Sequence, residues 1–278
     1  MTTDTIERHP WNSGFEWTMP VTAPRTISAA QFQQFDQLGY VVVDDLLDAA
    51  TLDAVTDEVD ALVAAADRAL EQAENGRMLI AEQGAITFRS HLLPESPVLR
   101  KLSRHETILG IALDLIGPDV NVYWDQAVYK KSEKPRRFPW HQDNGYGFVE
   151  PQQYLTVWIA LNEAHVNNGC PWIAPGVHRQ GTLRHRFVDP LGFECFSDAP
   201  SAVAAEVPAG GAAVFSSLTP HLTGPNITGE VRKTYILQYA PAGAQRLEGD
   251  PDAGPPARVV PADDPERQYP VLRGGRPV

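Results

Sequence analysis

Asp-Val-Asn-Val-Tyr-Trp-Asp-Gln-Ala-Val-Tyr-Lys-Lys, residues 119–131, is where the chain changes character. Before it, apolar residues recur at helical spacing. From it onward come short runs rich in β-branched and aromatic residues, parted by Pro, Gly and Asn. The same reading predicts further strands at 155–163, 169–174, 212–217 and 232–240. Their irregular spacing and the lack of an internal repeat suit a jelly roll better than a propeller.

Upstream, Ser28 with Gln31 three residues on reads as a capping box, opening a helix that Gly39 ends. Gly-Tyr-Val-Val-Val (39–43) reads as a short buried strand. A long helix from Asp48 to Gly76 places Leu52, Val55, Val59, Leu62, Ala66 and Leu70 at helical spacing, and two more helices follow near 97–103 and 106–116. Helices first and strands after predict a helical layer packed on a β-sandwich, mainly β in content. The expected organisation is a single domain over 1–278. It comprises an extended arm to residue 26, a mainly helical layer over 27–118, a jelly-roll core over 119–240 and an irregular tail rich in Pro, Asp and Gly over 241–278. The connection 177–205 exceeds ordinary loop lengths and is the expected active-site lid.

The bulk composition excludes several classes. A formal net charge of −12 gives a field that repels a phosphate backbone, so nucleic acid is not an expected partner. The N-terminus lacks the basic flank and apolar run of a signal peptide, and no window approaches the roughly 18 apolar residues of a membrane span. The expectation is a soluble, cytoplasmic chain with no membrane partner. Cys170 and Cys195 are too few for a disulfide scaffold and read as reduced thiols, Cys170 as a small buried hydrophobe.

Chemistry enters at Trp-His-Gln-Asp-Asn-Gly-Tyr, residues 140–146. In an extended strand, residues i and i+2 project to one face, so His141 and Asp143 can offer a nitrogen and a carboxylate oxygen to one ion. With 8 His and 35 acidic residues in 278, about one His-X-acid pair arises by chance, so the pair alone is weak. Pro-His-Leu-Thr-Gly-Pro-Asn (220–226) supplies a second histidine, His221. Two histidines and a carboxylate on one face of iron(II) leave positions open for co-substrate and oxygen. Arg232 then opens a strand, and its planar guanidinium suits the distal carboxylate of an oxo-diacid.

Residues 28–240 resemble the phytanoyl-CoA dioxygenase family of iron(II)/2-oxoglutarate oxygenases. The resemblance rests on Gln-Phe-Asp-Gln-Leu-Gly-Tyr-Val-Val-Val, the Trp-His-Gln-Asp block, Leu-Thr-Val-Trp-Ile-Ala-Leu (155–161), Asn-Gly-Cys-Pro-Trp-Ile-Ala-Pro-Gly-Val-His (168–178) and the spacing from His221 to Arg232. It implies a double-stranded β-helix, cupin-like, with His141, Asp143 and His221 as metal ligands and Arg232 as the 2-oxoglutarate anchor. It also implies that Thr223, Gln126, Trp158 and Arg89 touch the co-substrate. A plain core tryptophan is the bland alternative for Trp158. Asn144 and Tyr146, overhanging the ion if the chain turns at Gly145, are the candidate substrate contacts. His178 and His185 receive no catalytic role. One departure stands out: Pro-Gly-Val-His (175–178) has Val where the family usually has Ser.

The implied cofactors are iron(II), 2-oxoglutarate and O2, and the implied reaction is oxidation, foremost hydroxylation, of an unactivated carbon in a small, largely apolar substrate. Desaturation, cyclisation and epimerisation share the same opening step. Related halogenases replace the carboxylate ligand, and Asp143 is present. A cupin-like metalloenzyme that ignores 2-oxoglutarate would have no use for Arg232, and a non-catalytic binding protein would tolerate loss of a ligand.

Overall fold

Ser28 caps its helix as the sequence requires: its hydroxyl accepts from the Gln31 N–H at 3.2 Å, and the Gln31 side chain accepts from the Ser28 N–H at 3.0 Å. The computed structural model in which this is seen describes residues 6–199 and 201–278. Helix α1 (Ala29–Leu38) ends at Gly39, whose φ of 83° is left-handed. A Cβ there would stand 2.5 Å from Thr219 Oγ1, so only glycine fits. Helix α2 (Ala49–Gln72) starts at Asp48, which accepts from the Thr51 N–H, and buries Val55, Val59, Val63 and Leu70. The pair α3 (Pro97–Leu102) and α4 (Glu106–Ile116) follows.

The strands that build the sandwich are, in chain order, β1 (Tyr40–Val43), β2 (Ile86–Ser90), β3 (Val120–Lys130), β4 (Leu155–Ala160), β5 (Pro171–Ile173), β6 (Val203–Ala204), β7 (Ala212–Ser216), β8 (His221–Thr223) and β9 (Arg232–Pro241). The large sheet is antiparallel in the order β1-β7-β4-β9-β3-β2 and continues into a hairpin of Ala81–Glu82 with Arg77–Met78. The small sheet is β6-β5-β8. Together they form the jelly roll, or double-stranded β-helix, expected from the sequence.

Alternation divides the large sheet into two chemistries. Leu155, Val157 and Ile159 of β4 and Tyr235, Leu237 and Tyr239 of β9 pack on Val59, Ile108 and Ile111 of the helices. Trp158, Ala160 and Ile236 point the other way, into the space between the sheets, with Cys170 and Ile173. Each fully buried side chain of this size contributes roughly 1.5–3 kcal/mol. In one place the alternation breaks. Gln238 lies opposite Trp124 but Tyr239 lies opposite Val122, so Tyr123 is an extra residue, a β-bulge in β3.

Where the arm meets the helical layer, Arg25, Thr26 and Ile27 donate backbone N–H groups to the buried Asp114 carboxylate at 2.7–3.2 Å. Asp114→Ala orphans all three, and at about 1–3 kcal/mol per unmade bond it should lower the melting temperature by roughly 5–10 °C in a calorimetric scan.

Two expectations are corrected. The tail 241–278 is not irregular: Gln245–Glu248 pairs with both Val149–Glu150 and Arg258–Pro261, and Pro270–Arg273 pairs with the start of β3. Strands of four residues between prolines and glycines carry too little periodicity to be read. The connection 177–205 is not one long loop either. It holds the hairpin Arg186–Val188 with Gly192–Glu194 and the short strand β6. Among the described residues no helix is long and apolar enough to cross a membrane.

Candidate metal centre and cavity

His141 lies just outside a regular strand and forms an isolated antiparallel bridge with His221, each donating its N–H to the other's carbonyl at 2.8–2.9 Å. That exchange sets the two rings face to tilted face, centroids 4.1 Å apart. Their orientation is fixed from behind. Nδ1 of His141 faces the Pro139 carbonyl at 2.9 Å and Nδ1 of His221 faces that of Thr219 at 3.0 Å. A carbonyl can only accept, so both Nδ1 atoms carry a proton and Nε2 is the atom that each ring can offer a metal. Burial, then the nearby His221, pulls the His141 pKa well below 6.5, which keeps it in the neutral form a metal needs.

Asp143 departs from the extended geometry assumed above, because the chain turns into a 3-10 helix at Asp143–Gly145. The turn brings Asp143 Oδ1 to 3.9 Å from His141 Nε2 and 3.8 Å from His221 Nε2. One atom from each of the three residues lies within 4.8 Å of the others. Two neutral nitrogens and one anionic oxygen form the donor set for a divalent ion with open positions. Oδ2 of Asp143 accepts from Thr156 Oγ1, which in turn accepts from Gln238 Nε2 at 3.2 Å. Thr156→Val should therefore weaken iron binding by about 10-fold in a chelator competition while leaving the ligands in place.

The turn is pressed onto His185. Its Nε2 accepts from the Gln142 N–H at 2.9 Å, and a Cβ on Gly145 would sit 2.1 Å from its ring. The Gln142 side chain ties the same turn to Gly181, Leu183 and Leu218. His178 lies apart, edge-on to Trp17 and bonded to the Asp36 carbonyl.

Arg232 is fully buried on the inner face of β9. One nitrogen, Nη1, donates to Thr234 Oγ1 and to the Val128 carbonyl, and the guanidinium lies 5.0 Å from the Trp158 ring. Nε and Nη2 have no partner among the described residues. Burial lowers its pKa to about 9, so it is a cation at neutral pH. Thr223 ends β8 on the same side, its carbonyl accepting from buried Lys130 at 2.9 Å. A cation with two unsatisfied donors fits the distal carboxylate of 2-oxoglutarate.

A cavity of about 800 Å³ opens from His141 and Asp143. Tyr146 lines it, edge-on to His141 at 5.3 Å, and so does Gln126, whose carbonyl accepts from Trp124 Nε1. Arg89 reaches its wall but is paired with Glu95. Asn144 does not face it. Its amide bonds Thr182 and accepts from the Val149 N–H, so the substrate contact expected of it is replaced by a structural role. Among the described residues none of 177–205 lines the cavity, and the segment packs Phe193 on Tyr146.

Much of the wall was not foreseen. Helix α2 offers Ala65, Ala66 and Ala69, the 77–82 hairpin offers Met78, Leu79 and Ile80, and the tail offers Arg246. Leu79 at the hairpin tip is 98% exposed. Helical periodicity did mark Ala66 and Leu70, but a small apolar residue facing a core and one facing a cavity read alike.

The sequence matches the family model described as phytanoyl-CoA dioxygenase over residues 35–234. Ectoine dioxygenase from Sphingopyxis alaskensis is 31% identical over 172 residues, 59% of this chain and 53% of that protein. Phytanoyl-CoA dioxygenase domain-containing protein 1 from Bos taurus is 24% identical over 205 residues, 60% of this chain and 70% of that one. The chain spans about half the length of the ectoine dioxygenases it matches. Among solved structures, the non-heme alpha-ketoglutarate-dependent carbocyclase SnoK from nogalamycin biosynthesis superposes with a TM-score of 0.67 at 24% identity, covering 86% of this chain and 99% of that one. EvdO2 from Micromonospora carbonacea var. aurantiaca, complexed with 2-oxoglutarate, gives 0.62 at 25% identity over 84% and 97%.

Proposed function

The chain belongs to the phytanoyl-CoA dioxygenase family, and from that premise we propose that it is an iron(II)- and 2-oxoglutarate-dependent dioxygenase that hydroxylates an unactivated carbon of a small, largely apolar molecule. Succinate and carbon dioxide are the co-products. The observation that carries this reading is the Arg232 guanidinium, buried with two donors unpaired. Buried donors left unmade cost about 1–3 kcal/mol each, and a carboxylate presented edge-on would satisfy both.

Iron(II) with 2-oxoglutarate and O2 supplies the oxidising chemistry. The chain's own residues do the placing. His141, Asp143 and His221 bind the ion on one face, and Arg232 with Thr223 holds the co-substrate, flanked by Gln126 and Trp158. Tyr146 and Phe138 wall the ion from bulk water.

The cavity volume lies within the roughly 300–1,000 Å³ of small-molecule sites, which supports a small substrate over a macromolecule. The names of the relatives, an ectoine dioxygenase and a carbocyclase of nogalamycin biosynthesis, support the same class. A polyanionic coenzyme A ester is disfavoured by the formal net charge of −12, and the local cations that could receive it have partners of their own. Lys130 is buried on carbonyls, Lys131 pairs with Asp67, Arg136 with Glu82, Arg137 with Glu194, and Arg184 and Arg186 with Glu7.

Succinate formation from 2-oxoglutarate tests the reading. It should require iron(II) and stop on chelation. Iron binding with no 2-oxoglutarate consumption under any substrate pool would sink the proposal in favour of a cupin-like enzyme of another kind.

A further inference from the structure

We infer that Tyr123, Tyr154 and Arg246 form a carboxylate-binding subsite in the cavity, so that the substrate is an apolar molecule carrying one carboxylate. The inference deepens the function proposed above and rests on it in one respect, that the substrate occupies this cavity.

Tyr154 is 2% exposed and lines the cavity, and its hydroxyl makes no hydrogen bond to a described residue, which leaves it open to a ligand there. Tyr123 is half-buried, and its hydroxyl likewise bonds no described residue. Its ring lies 5.1 Å from that of Tyr154, and both rings line the cavity. The bulge in β3 is what brings Tyr123 here beside Trp124, since strict alternation would send one of the two to the opposite face. Burial raises both phenol pKa values, against the opposing Arg246 charge at Tyr123, so both hydroxyls are donors.

Arg246 completes the group. It comes from the strand Gln245–Glu248, which pairs with Val149–Glu150 just beyond the metal turn, and its stem lies over Gly147, where a Cβ would be 3.7 Å from Arg246 Cδ. Arg246 pairs with Glu248, but Arg258 reaches the same carboxylate at 3.4 Å. One carboxylate between two guanidiniums leaves a surplus positive charge, whereas Arg89 has Glu95 to itself. Much of the remaining wall is apolar, with Phe88, Phe138, Met78, Ile80 and the alanines of α2 beside the polar Ser90, Gln126 and Gln238. Two hydroxyl donors and a guanidinium suit an anionic oxygen pair, and an apolar body would lie along the rest.

The test compares 1-naphthaleneacetate with its neutral amide, 1-naphthaleneacetamide, by anaerobic calorimetry on the full chain loaded with iron(II) and 2-oxoglutarate. Loading fills the Arg232 position, so binding there does not confuse the result. The acid should bind at least about 10-fold tighter than the amide. Arg246→Gln and the double variant Tyr123→Phe/Tyr154→Phe should each remove the preference, while Arg267→Gln, with the same loss of charge outside the cavity wall, should keep it. Equal affinities, no binding of the acid, or a preference that survives Arg246→Gln overturns the inference. Failure of the proposed oxidation would register separately, as absent succinate formation.

Discussion

Asp143→Ala is expected to abolish 2-oxoglutarate turnover, by at least about 100-fold, and to strip iron from the protein. Asp143 is the anionic member of a donor set whose other two members are neutral imidazoles. Its removal leaves a divalent cation in a pocket with no compensating charge, because His141 and His221 are buried and the nearest polar neighbours, Thr156 and Gln238, are uncharged. The substitution should not unfold the chain. The histidine pair is held by its own backbone exchange and by the Pro139 and Thr219 carbonyls, none of which involves the carboxylate. The measurement is metal content after dialysis together with succinate formation. Wild-type turnover in the variant without added chloride would mean that these three residues are not the ligand set.

The second large effect belongs to Arg232. Arg232→Lys should raise the KM for 2-oxoglutarate by roughly 10- to 100-fold with iron binding intact, since an ammonium cannot reproduce two parallel, charge-assisted hydrogen bonds. Arg232→Met should lose the co-substrate altogether and yet melt no lower than the wild-type protein in the absence of ligand. The reason is that Arg232 is fully buried with no carboxylate beside it, and burial with the Arg232 charge drives the pKa of neighbouring Lys130 well below its ordinary value. Replacing an uncompensated buried cation with an apolar side chain of similar length removes a desolvation cost. An unchanged KM in the Lys variant would move the anchor elsewhere, with Arg89 next to be tested.

How far the site could be read in advance follows from how local each signal is. The capping box at Ser28 and Gln31 and the turn at Gly39 were legible because they are complete within a few residues. So was the Trp-His-Gln-Asp block, although the reason given for it, two residues on one strand face, is not the one the fold uses. The fold turns the chain at Asp143 and recruits His221 through a cross-strand bridge, a pairing that leaves no trace in local periodicity. Arg232 was legible from residue chemistry, but its isolation from other carboxylates is a property of the packed interior. Asn144 misled for the opposite reason: its position beside the ligands was read correctly, and its commitment to Thr182 and Val149 was not visible. The hairpin at 77–82 escaped notice because its strands are two residues each. The connection 177–205 attracted the lid role by its length, yet residues 181–185 are tied to the metal turn through Gln142 and His185, and a hairpin follows them.

The extra residue at Tyr123 bears on how a scaffold of this kind can diversify. Strand β3 is paired on both edges, with β9 and with β2, so its ends are pinned and a change in length must be absorbed where the register already slips. Deleting one residue there would turn either the tyrosine or the tryptophan out of the cavity while the strands that carry His221 and Arg232 keep their partners, as does the His141 bridge. Lineages descending from such a chain could exchange one clientele of molecules for another through a single-codon insertion or deletion, with the oxidising apparatus inherited unchanged.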